Sequence, residues 1–364
     1  MQSDKKRNKP VSIYFIVPAP SGISPGQRFR YEHYLSTLAE KKIKFRVSNF
    51  YTRRGWSALY RSGNKMTKAW HVVKGFCKRI IDLFRMGGYS YVYVYREATP
   101  LGPPVFEKLI AKFLGKKIIY DFDDAIWVPV TSEFNKGISN LKNFSKVARI
   151  CEWSYKVSVG NEFLARYARG FNQNTFIIPT VVNTDSVHNQ LQQQETSAPA
   201  IGWTGTFSTL KYLEIVLPVL QKLQEKADFT FIVIADKDPK LPLKRYEFIK
   251  WTKDKEMADL LHFHIGLMPL YDDEISKGKC GFKAIQYMSL GIPAVVSPVG
   301  VNTEIVENAV NGFVCTESAE WSQKLEQLLN DSSLRKKLGI AARKKIETTY
   351  SVKATTQDFL KLFT

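Results

Sequence analysis

The chain has 364 residues, of which 44% are hydrophobic, and its 53 Lys and Arg against 34 Asp and Glu give a formal net charge of +19. This hydrophobic fraction excludes a disordered or collagen-like chain, and the length indicates two domains. No stretch approaches the ~18 uninterrupted apolar residues of a membrane-spanning helix.

The positive charge is concentrated in one half of the chain. Residues 1–150 hold 28 Lys and Arg against 10 Asp and Glu, a net charge of +18, whereas residues 151–364 hold 25 against 24. A uniformly basic chain would indicate non-specific binding. This asymmetry instead indicates that the first half faces an anionic partner.

The N-terminus and the cysteines bear on the compartment. A basic start is followed by a short apolar run at 11–17 that ends at Pro18, without a signal-peptide cleavage pattern, so the run predicts a buried first strand. Cys77, Cys151, Cys280 and Cys315 are far apart and form no CxxC pair. That spacing argues against a disulfide scaffold or a zinc site and predicts a cytoplasmic protein.

Apolar runs alternate with helical patterns along the whole chain. In the first half, strands are predicted at 12–17, 43–47, 91–95, 117–120, 156–159 and 175–178, and helices at 28–40, 65–86, 104–113, 142–152 and 162–169. In the second half, strands are predicted at 200–203, 229–234, 247–251, 264–268, 294–297 and 312–314, and helices at 210–226, 255–261, 282–290, 303–308, 318–330 and 333–347. Uniformly apolar strands are buried on both faces, so this alternation predicts two doubly wound, Rossmann-like α/β domains with parallel sheets.

The boundary between the domains is predicted in a polar, Gln-rich stretch without hydrophobic period. We therefore expect a first domain over 1–182, a linker over 183–198, a second domain over 199–348 and a final helix over 349–364.

The predicted helix over 65–86 has two interpretations. Apolar side chains share one face at helical spacing (Met66, Trp70, Val73, Phe76, Ile80 and Phe84), and charged side chains lie mostly opposite (Lys68, Lys78, Arg79, Asp82 and Arg85). A basic amphipathic helix can lie on an anionic membrane surface. A crossover helix that packs its apolar face on the sheet is the favoured interpretation, because the fold needs a helix between these strands.

Two loops of the second half have the composition of an anion site. No GxGxxG or GxxxxGK[ST] motif is present, which disfavours a dinucleotide-dependent oxidoreductase and a P-loop ATPase. The stretch 202–209 lies between a strand and a helix and includes Gly205, Thr206, Ser208 and Thr209, whose backbone N–H groups can attract phosphate. An ordinary helix cap would have the same composition.

The second loop places two lysines at the start of a helix. Lys279 and Lys283 are four residues apart and lie on one helix face near its positive N-terminal end. Two like charges in this position are unfavourable unless solvent or an anion neutralises them. A diphosphate is the favoured interpretation, since both loops follow the carboxyl ends of strands, where doubly wound folds bind ligands.

The first half has a cluster of carboxylates at a strand end. Asp121, Asp123 and Asp124 follow a buried strand, where they are costly unless solvated, paired or functional. A helix cap on a surface turn is one alternative, and a metal site is weakly supported by aspartates alone. Arg28 and Arg30, in the loop after the first strand, can face the same cleft and bind oxyanions, or form surface salt bridges.

These motifs resemble a known family. The second half is similar to the donor domain of nucleotide-sugar glycosyltransferases with the GT-B fold, close to glycosyltransferase family 4 (glycosyl transferases group 1). The likeness rests mainly on HIGLMPLYDDEISKGKCGFKAIQYMSLGIPAVVSPVG at 264–300, supported by IGWTGTFSTLKYL at 201–213. In the first half, IYDFDDAIW at 119–127, VGNEFLARYA at 159–168 and IIPTVVNTD, which ends at Asp185, resemble parts of the acceptor domain and linker.

The resemblance implies roles for particular residues. Donor binding would fall to Gly205, Thr206, Ser208, Thr209, Lys279, Cys280, Gly281, Phe282, Lys283 and Gln286. The family's two glutamates, eight residues apart, correspond here to Gly278 and Gln286, so both carboxylates are missing. Asp272, Asp273 or Glu274 could substitute for the first. Asp123 aligns approximately with a family histidine that touches the transferred sugar. The catalytic residues implied are thus Asp123, Asp124 and Lys283, with Arg28, Arg30 and Asp121 on the acceptor side.

The resemblance also implies a function and an architecture. We expect two domains facing a cleft, with the final helix packed back on the first domain. The activity would be transfer of a sugar from a UDP- or GDP-linked donor to a growing, lipid-linked cell-surface glycan, as in polysaccharide or lipopolysaccharide biosynthesis, with retention of configuration and without a metal or other cofactor. The basic half would face an anionic membrane from the cytoplasm. A catalytically impaired donor-binding protein and a sugar-nucleotide epimerase remain alternatives, and a nucleic-acid-binding protein is disfavoured because no such module is visible.

Overall fold

The computed structural model describes residues 10–59, 63–129, 142–196 and 198–364. The chain divides into two compact units, Met1–Ile178 with Thr356–Thr364, and Pro179–Thr355. Each unit contains one six-stranded sheet with helices in the connections. The predicted α/β class with two doubly wound parallel sheets is therefore confirmed.

The first unit is built on a parallel sheet with the strand order β2-β1-β3-β4-β5-β6. Its strands are β1 Ser12–Val17, β2 Lys44–Asn49, β3 Tyr91–Tyr95, β4 Lys117–Phe122, β5 Lys156–Val159 and β6 Thr175–Ile177. Every residue of β1 and β3 is buried, as expected for central strands covered on both faces. The order places the carboxyl ends of β1, β3 and β4 side by side.

The helices of the first unit match the predictions over 65–86 and 162–169 to within one residue and are shorter or divided where helices are predicted over 28–40, 104–113 and 142–152. They are α1 Pro25–Arg30, α2 Leu35–Glu40, α3 Arg53–Leu59, α4 Lys65–Arg85, α5 Val105–Lys108, α6 Lys146–Trp153 and α7 Glu162–Arg169, with single turns at Glu32–Tyr34, Met86–Gly88 and Leu109–Phe113. The predicted helix over 28–40 is interrupted at Tyr31, whose buried ring stacks on Phe15 with centroids 5.1 Å apart. Tertiary packing here overrides the continuous helical pattern.

The second unit repeats the arrangement with the strand order β12-β11-β10-β7-β8-β9, again all parallel. Its strands are β7 Ala200–Gly205, β8 Thr230–Ala235, β9 Tyr246–Lys250, β10 Ile265–Met268, β11 Ala294–Val296 and β12 Gly312–Val314. Its helices are α8 Leu217–Leu223, α9 Glu256–Leu260, α10 Glu274–Lys277, α11 Phe282–Ser289, α12 Asn302–Ile305, α13 Ser318–Asn330 and α14 Ser332–Lys345. A 3₁₀ helix lies at Phe207–Ile215, and shorter helical turns lie at Lys253–Lys255 and Ile346–Tyr350. The core is centred on the buried Trp203 and Trp321.

The last helix, α15 Val352–Lys361, begins in the second unit and ends in the first. Within the first unit, its Phe359 ring stacks on Tyr34 at a centroid distance of 4.0 Å.

The segment predicted as a linker, 183–198, groups with the second unit over its described residues. The buried Arg335 donates from Nη2 to the carbonyl oxygens of Gln194 at 2.9 Å and Thr196 at 3.2 Å. The amide of Gln192 donates to the carbonyl oxygen of Phe263 at 2.9 Å. The side chain of Gln192 and the backbone carbonyl groups of Gln194 and Thr196 thus attach this segment to the second unit.

Helix α4 is oriented opposite to the favoured interpretation of its sequence. Met66 and Phe84 are 86% and 83% exposed, whereas Gly75, Arg79 and Asp82 are buried. The expectation that the apolar face packs on the sheet is therefore wrong. The polar face of α4 packs on the sheet instead, where Tyr14 of β1 and Ser48 of β2 both donate hydrogen bonds to Asp82. Within the described ranges, none of the helices combines the length and apolar character needed to cross a bilayer.

His264, just before β10, makes the stability of the second unit depend on pH. Its Nδ1 accepts a hydrogen bond from the Ala200 N–H at 3.1 Å. Burial, together with the charge of Arg335, lowers its pKa from 6.5 to about 4. The unfolded chain therefore binds the additional proton first as the pH falls, and stability is lost between pH 6.5 and about 4.

We expect the free energy of unfolding to fall in this window with a contribution from His264 of up to about 1.4 kcal/mol per pH unit. The variant His264→Asn keeps a hydrogen-bond acceptor but does not titrate. Urea unfolding across the window should therefore show a shallower pH dependence for this variant than for the wild type. Equal slopes would contradict the prediction.

Candidate functional site

The loop after β7 closes tightly over the core. A Cβ atom on Gly205 would lie 2.3 Å from Cη2 of Trp203 and 2.7 Å from Oγ1 of Thr209. Only glycine fits there, because Trp203 fills the space beneath the loop. The glycine at this strand end thus has a packing cause within the unit.

In the same loop, the backbone N–H groups of Thr206, Phe207 and Thr209 already have acceptors within the unit. Thr206 and Thr209 form a reciprocal capping box, in which the Thr206 N–H donates to Thr209 Oγ1 at 3.1 Å. The Phe207 N–H donates to the Asp236 carboxylate at 2.6 Å, and the hydroxyls of Thr206 and Ser208 lie 2.9 Å apart. The ordinary helix cap therefore describes Thr206 and Thr209 better than a ready-made cradle of N–H groups. Asp236 was not found from the sequence, although a carboxylate directly after the buried strand β8 was its signal.

The lysines of the second predicted loop reach the aromatic residues of the first. The Lys283 Nζ lies 5.3 Å from the ring centroid of Trp203, below Gly205. Lys279 and Lys211 place their Nζ atoms 5.7 Å and 5.2 Å from the ring of Tyr212. The Lys283 contact therefore brings the two predicted donor loops together, and Lys279 and Lys211 contact the helical turn that follows the first of these loops.

Gln286 lies on helix α11, three residues after Lys283 and hence on the same face. Its side chain is 2% exposed, and its Nε2 has no hydrogen-bond partner within the described part of the chain. An unsatisfied buried amide costs about 1–3 kcal/mol. A ligand oxygen at this position would satisfy it, which fits the role that the resemblance implies for this residue.

The acidic residues upstream of α11 have local partners. Asp272 forms an ion pair with Lys277 at 2.9 Å, and Asp273 caps α10 by accepting from the Ser276 N–H at 2.6 Å. Gly278 follows α10 as its C-terminal cap. Cys280 is buried, and Phe282 is the first residue of α11. Local contacts thus account for Asp272 and Asp273, two of the three acidic residues that could substitute for the missing glutamate.

Gly281 is required by its backbone conformation. It precedes α11 with a φ of +65°, and a Cβ there would lie 2.0 Å from Cδ1 of Ile305. We expect Gly281→Ala to destabilise the second unit by about 1–3 kcal/mol. Adding Ile305→Val, which removes the clashing Cδ1, should recover part of the loss in urea unfolding. If the double variant is destabilised as much as Gly281→Ala alone, the whole destabilisation comes from the backbone conformation at position 281.

In the first unit, Asp123 lies at the end of β4 in a network of donors. Its Oδ1 accepts from Tyr95 Oη at 2.8 Å and from Arg96 Nε at 2.9 Å, and Arg96 also binds Asp124 at 2.8 Å. Burial raises the pKa of Asp123, but the charges of Arg96 and Arg30 and the hydrogen bonds from Tyr95 and Arg96 outweigh it, so the pKa is lowered. Asp123 is thus held as a carboxylate that accepts hydrogen bonds.

Arg96 was missed by the sequence analysis. It follows β3 directly with a φ of +60°, a conformation that side-chain-bearing residues rarely adopt. The sequence did contain a signal for it, because Arg96 is a cation directly after the apolar strand β3. The neighbouring strand β4 ends in carboxylates. Gly26 allows this arrangement, since a Cβ there would lie 2.2 Å from Tyr95 Oη and 3.0 Å from Asp123 Oδ2.

Arg30 and Asp121 form a buried ion pair. Their side chains are 1% and 0% exposed, with Nη2 2.5 Å from Oδ1 and Nε 3.1 Å from Oδ2. Arg30 also binds Ser158 and the carbonyl oxygen of Ile178. This network links α1 to β4, β5 and the end of the sheet, which is a structural role.

Arg28 is also mostly buried and places its guanidinium 4.8 Å from the Phe29 ring centroid. In the described ranges, no three His, Cys, Asp or Glu side chains gather as a metal-binding group.

Residues 198–331 match the family model described as "Glycosyl transferases group 1". The second unit thus carries a domain that matches the group 1 glycosyltransferase family. The chain is also 23% identical over 118 residues to human alpha-1,3/1,6-mannosyltransferase ALG2. That match covers 32% of this chain and 27% of the mannosyltransferase.

Solved structures share the fold along nearly the whole chain. Sucrose-phosphate synthase from Thermosynechococcus elongatus is similar with a TM-score of 0.71 and 13% identity, and the match covers 98% of each chain. Anabaena HepE in complex with UDP and glucose is similar with a TM-score of 0.64 and 14% identity, covering 97% of this chain and 99% of that one. The fold of this chain is accordingly GT-B.

Proposed function

We propose that the protein transfers a sugar from a nucleoside-diphosphate donor, UDP- or GDP-linked, to a hydroxyl of a growing glycan. One observation carries the proposal: Lys283 contacts Trp203 beneath the Gly205 loop, and Lys279 contacts Tyr212 shortly after that loop. This is the carboxyl edge of the sheet, where doubly wound folds bind ligands. The group 1 domain supports it, as does the UDP complex of the similar HepE.

The lysines would act on the leaving group. During transfer, the bond between the anomeric carbon and the β-phosphate oxygen breaks, and its electron pair stays on the phosphate. Fixed ammonium groups stabilise this growing charge more in the transition state than in the bound donor, which lowers the barrier. The two ammonium groups supply positive charge at the diphosphate, so we propose transfer without a metal or other cofactor. Gln286 would donate to a ribose hydroxyl.

The acceptor hydroxyl forms the new bond to the anomeric carbon and gives up its proton. We propose retention, with attack on the face that the nucleotide leaves and the proton passing to the departing phosphate oxygen. Asp123, held as a carboxylate, would orient a sugar or acceptor hydroxyl by accepting its hydrogen bond, with Asp124 beside it. Arg96 fixes both carboxylates.

The acceptor is proposed to be a lipid-linked glycan of the cell surface, reached from the cytoplasmic face of a membrane. Residues 1–150 carry 28 Lys and Arg against 10 Asp and Glu. Each basic residue near an anionic membrane contributes about 1 kcal/mol to binding. A polyprenyl-diphosphate-linked sugar should therefore be a better acceptor than the same sugar free in solution.

A panel of UDP- and GDP-sugars tests the function. We expect at least one donor to be hydrolysed slowly alone and consumed faster with a polyprenyl-diphosphate-linked saccharide, giving a product with the donor's anomeric configuration. Binding without hydrolysis or transfer would favour a catalytically impaired donor-binding protein, for which Gly278 and Gln286 at the glutamate positions are the specific observation. Conversion of one nucleotide sugar into another would favour an epimerase.

A further inference from the structure

Helix α4 presents a continuous apolar stripe to solvent. Met66, Trp70 and Phe84 are 86%, 57% and 83% exposed. Between them, the exposed positions on the same face are all apolar or thiol, namely Ala69, Val73, Cys77, Ile80 and Ile81. The helix has 21 residues, so the stripe is about 30 Å long. A solvent-facing stripe of this length indicates an interaction surface.

A buried polar network holds the helix in this orientation. Arg79 donates to the carbonyl oxygens of Ala98 at 2.7 Å and Val17 at 2.8 Å, and its Nη1 lies 2.9 Å from the Asp82 carboxylate. Asp82 in turn accepts from Tyr14 and Ser48. Rotating α4 to bury the stripe would expose or break these bonds. The outward direction of the apolar side chains is therefore a stable property of the unit.

Basic residues border the stripe. Lys65, Lys74 and Arg85 are exposed on α4, and the Nζ of Lys74 lies 5.2 Å from the Trp70 ring centroid. An apolar face with lysines and arginines at its margins is the pattern of helices that lie in the interface of an anionic bilayer. The positive charge beside the stripe thus favours an anionic partner among the surfaces that could cover it.

We propose that α4 docks the protein on an anionic lipid bilayer, with the stripe in the boundary between headgroups and acyl chains and the basic residues among the headgroups. A second copy of this chain is a poor occupant, because it would bring two strongly basic halves together. The proposal deepens the lipid-linked acceptor of the proposed function and assigns membrane contact to one helix.

The wild-type protein offers its own probe position. Cys77 is exposed within the stripe, whereas the other three cysteines are buried. An environment-sensitive fluorophore attached to Cys77 should shift to shorter wavelength with vesicles of phosphatidylcholine and phosphatidylglycerol, and bromolipids should quench it. Phosphatidylcholine vesicles alone should produce a much smaller shift, and high salt should weaken binding. An unchanged spectrum with anionic vesicles would overturn the proposal.

Paired variants separate the stripe from general hydrophobicity. Trp70→Asp/Phe84→Asp changes the stripe, and Phe113→Asp/Phe171→Asp changes exposed phenylalanines of the same unit outside it, with the same change in charge. Flotation with anionic vesicles should fall at least about tenfold for the first pair and little for the second. Equal losses, or a dimer of the wild type that only the stripe variant dissociates, would overturn docking on lipid.

Donor hydrolysis in the absence of lipid keeps the two proposals distinguishable. Both paired variants should hydrolyse the nucleotide sugar as the wild type does, because none of the four substituted residues is assigned to donor or acceptor binding. Loss of flotation with normal hydrolysis supports the role of α4. Vesicle binding by a protein that processes no donor would leave the docking intact and contradict the proposed function.

Discussion

Replacing Arg79 by leucine is expected to lower the free energy of unfolding of the first unit by about 3–5 kcal/mol. The substitution leaves the Asp82 carboxylate buried without its cation, although Tyr14 and Ser48 still donate to it. It also strips donors from the carbonyl oxygens of Val17, Ser48 and Ala98. Urea unfolding followed by circular dichroism measures the loss.

A double-mutant cycle isolates the ion pair. Arg79→Leu/Asp82→Leu removes both charges, so its loss should be smaller than the sum of the two single losses. Lys74→Ala on the exposed side of the same helix is the control and should change stability by no more than about 0.5 kcal/mol. If Arg79→Leu unfolds at the same urea concentration as the wild type, the network does not hold α4 in place.

The second large effect is expected from Lys283→Ala. Loss of one fixed charge at the leaving phosphate should lower kcat/KM for donor turnover by about 100- to 1000-fold, equivalent to about 2.7–4 kcal/mol of transition-state stabilisation. Lys279 would retain only part of the positive charge, because its Nζ lies against Tyr212 whereas the Lys283 Nζ lies against Trp203. Lys283→Arg, which keeps the charge on a differently shaped group, should recover part of the rate.

Lys337→Ala provides the control, because this exposed lysine lies on α14 of the same unit. It changes the net charge equally and should leave turnover unchanged. The thermal midpoint of each variant separates a loss of chemistry from a loss of folding. Full turnover in a folded Lys283→Ala protein would remove this residue from the donor site.

The strands could be predicted because β1, β3 and β7 are buried runs whose sequence directly reflects their position in a parallel sheet. The direction of α4 could not, since an amphipathic pattern identifies two faces but not which one turns inward. That choice depends on Tyr14 and Ser48, which are distant in sequence. Such long-range partners carry no local signal.

The site was predictable to a similar degree. Lys279 and Lys283 follow from helical spacing, and the structure places them near the predicted loop of β7. The role of Arg96 depends on β3 pairing with β4, with Tyr95 opposite Asp121. The pairing of Arg30 with Asp121 likewise depends on where α1 packs, so a pair expected to face the acceptor is an internal ion pair.

The composition of the first unit has a consequence for synthesis on the ribosome. The first unit includes residues 356–364, which the ribosome synthesises only after the whole of the second unit. At ~5–20 residues per second, the first unit therefore waits roughly 10–40 s for its last helix. During that time Tyr34 and Tyr93 lack the ring of Phe359 that covers them. Nascent chains thus pass through a state with an open aromatic surface, and premature termination would leave that surface permanently exposed to chaperones and proteases.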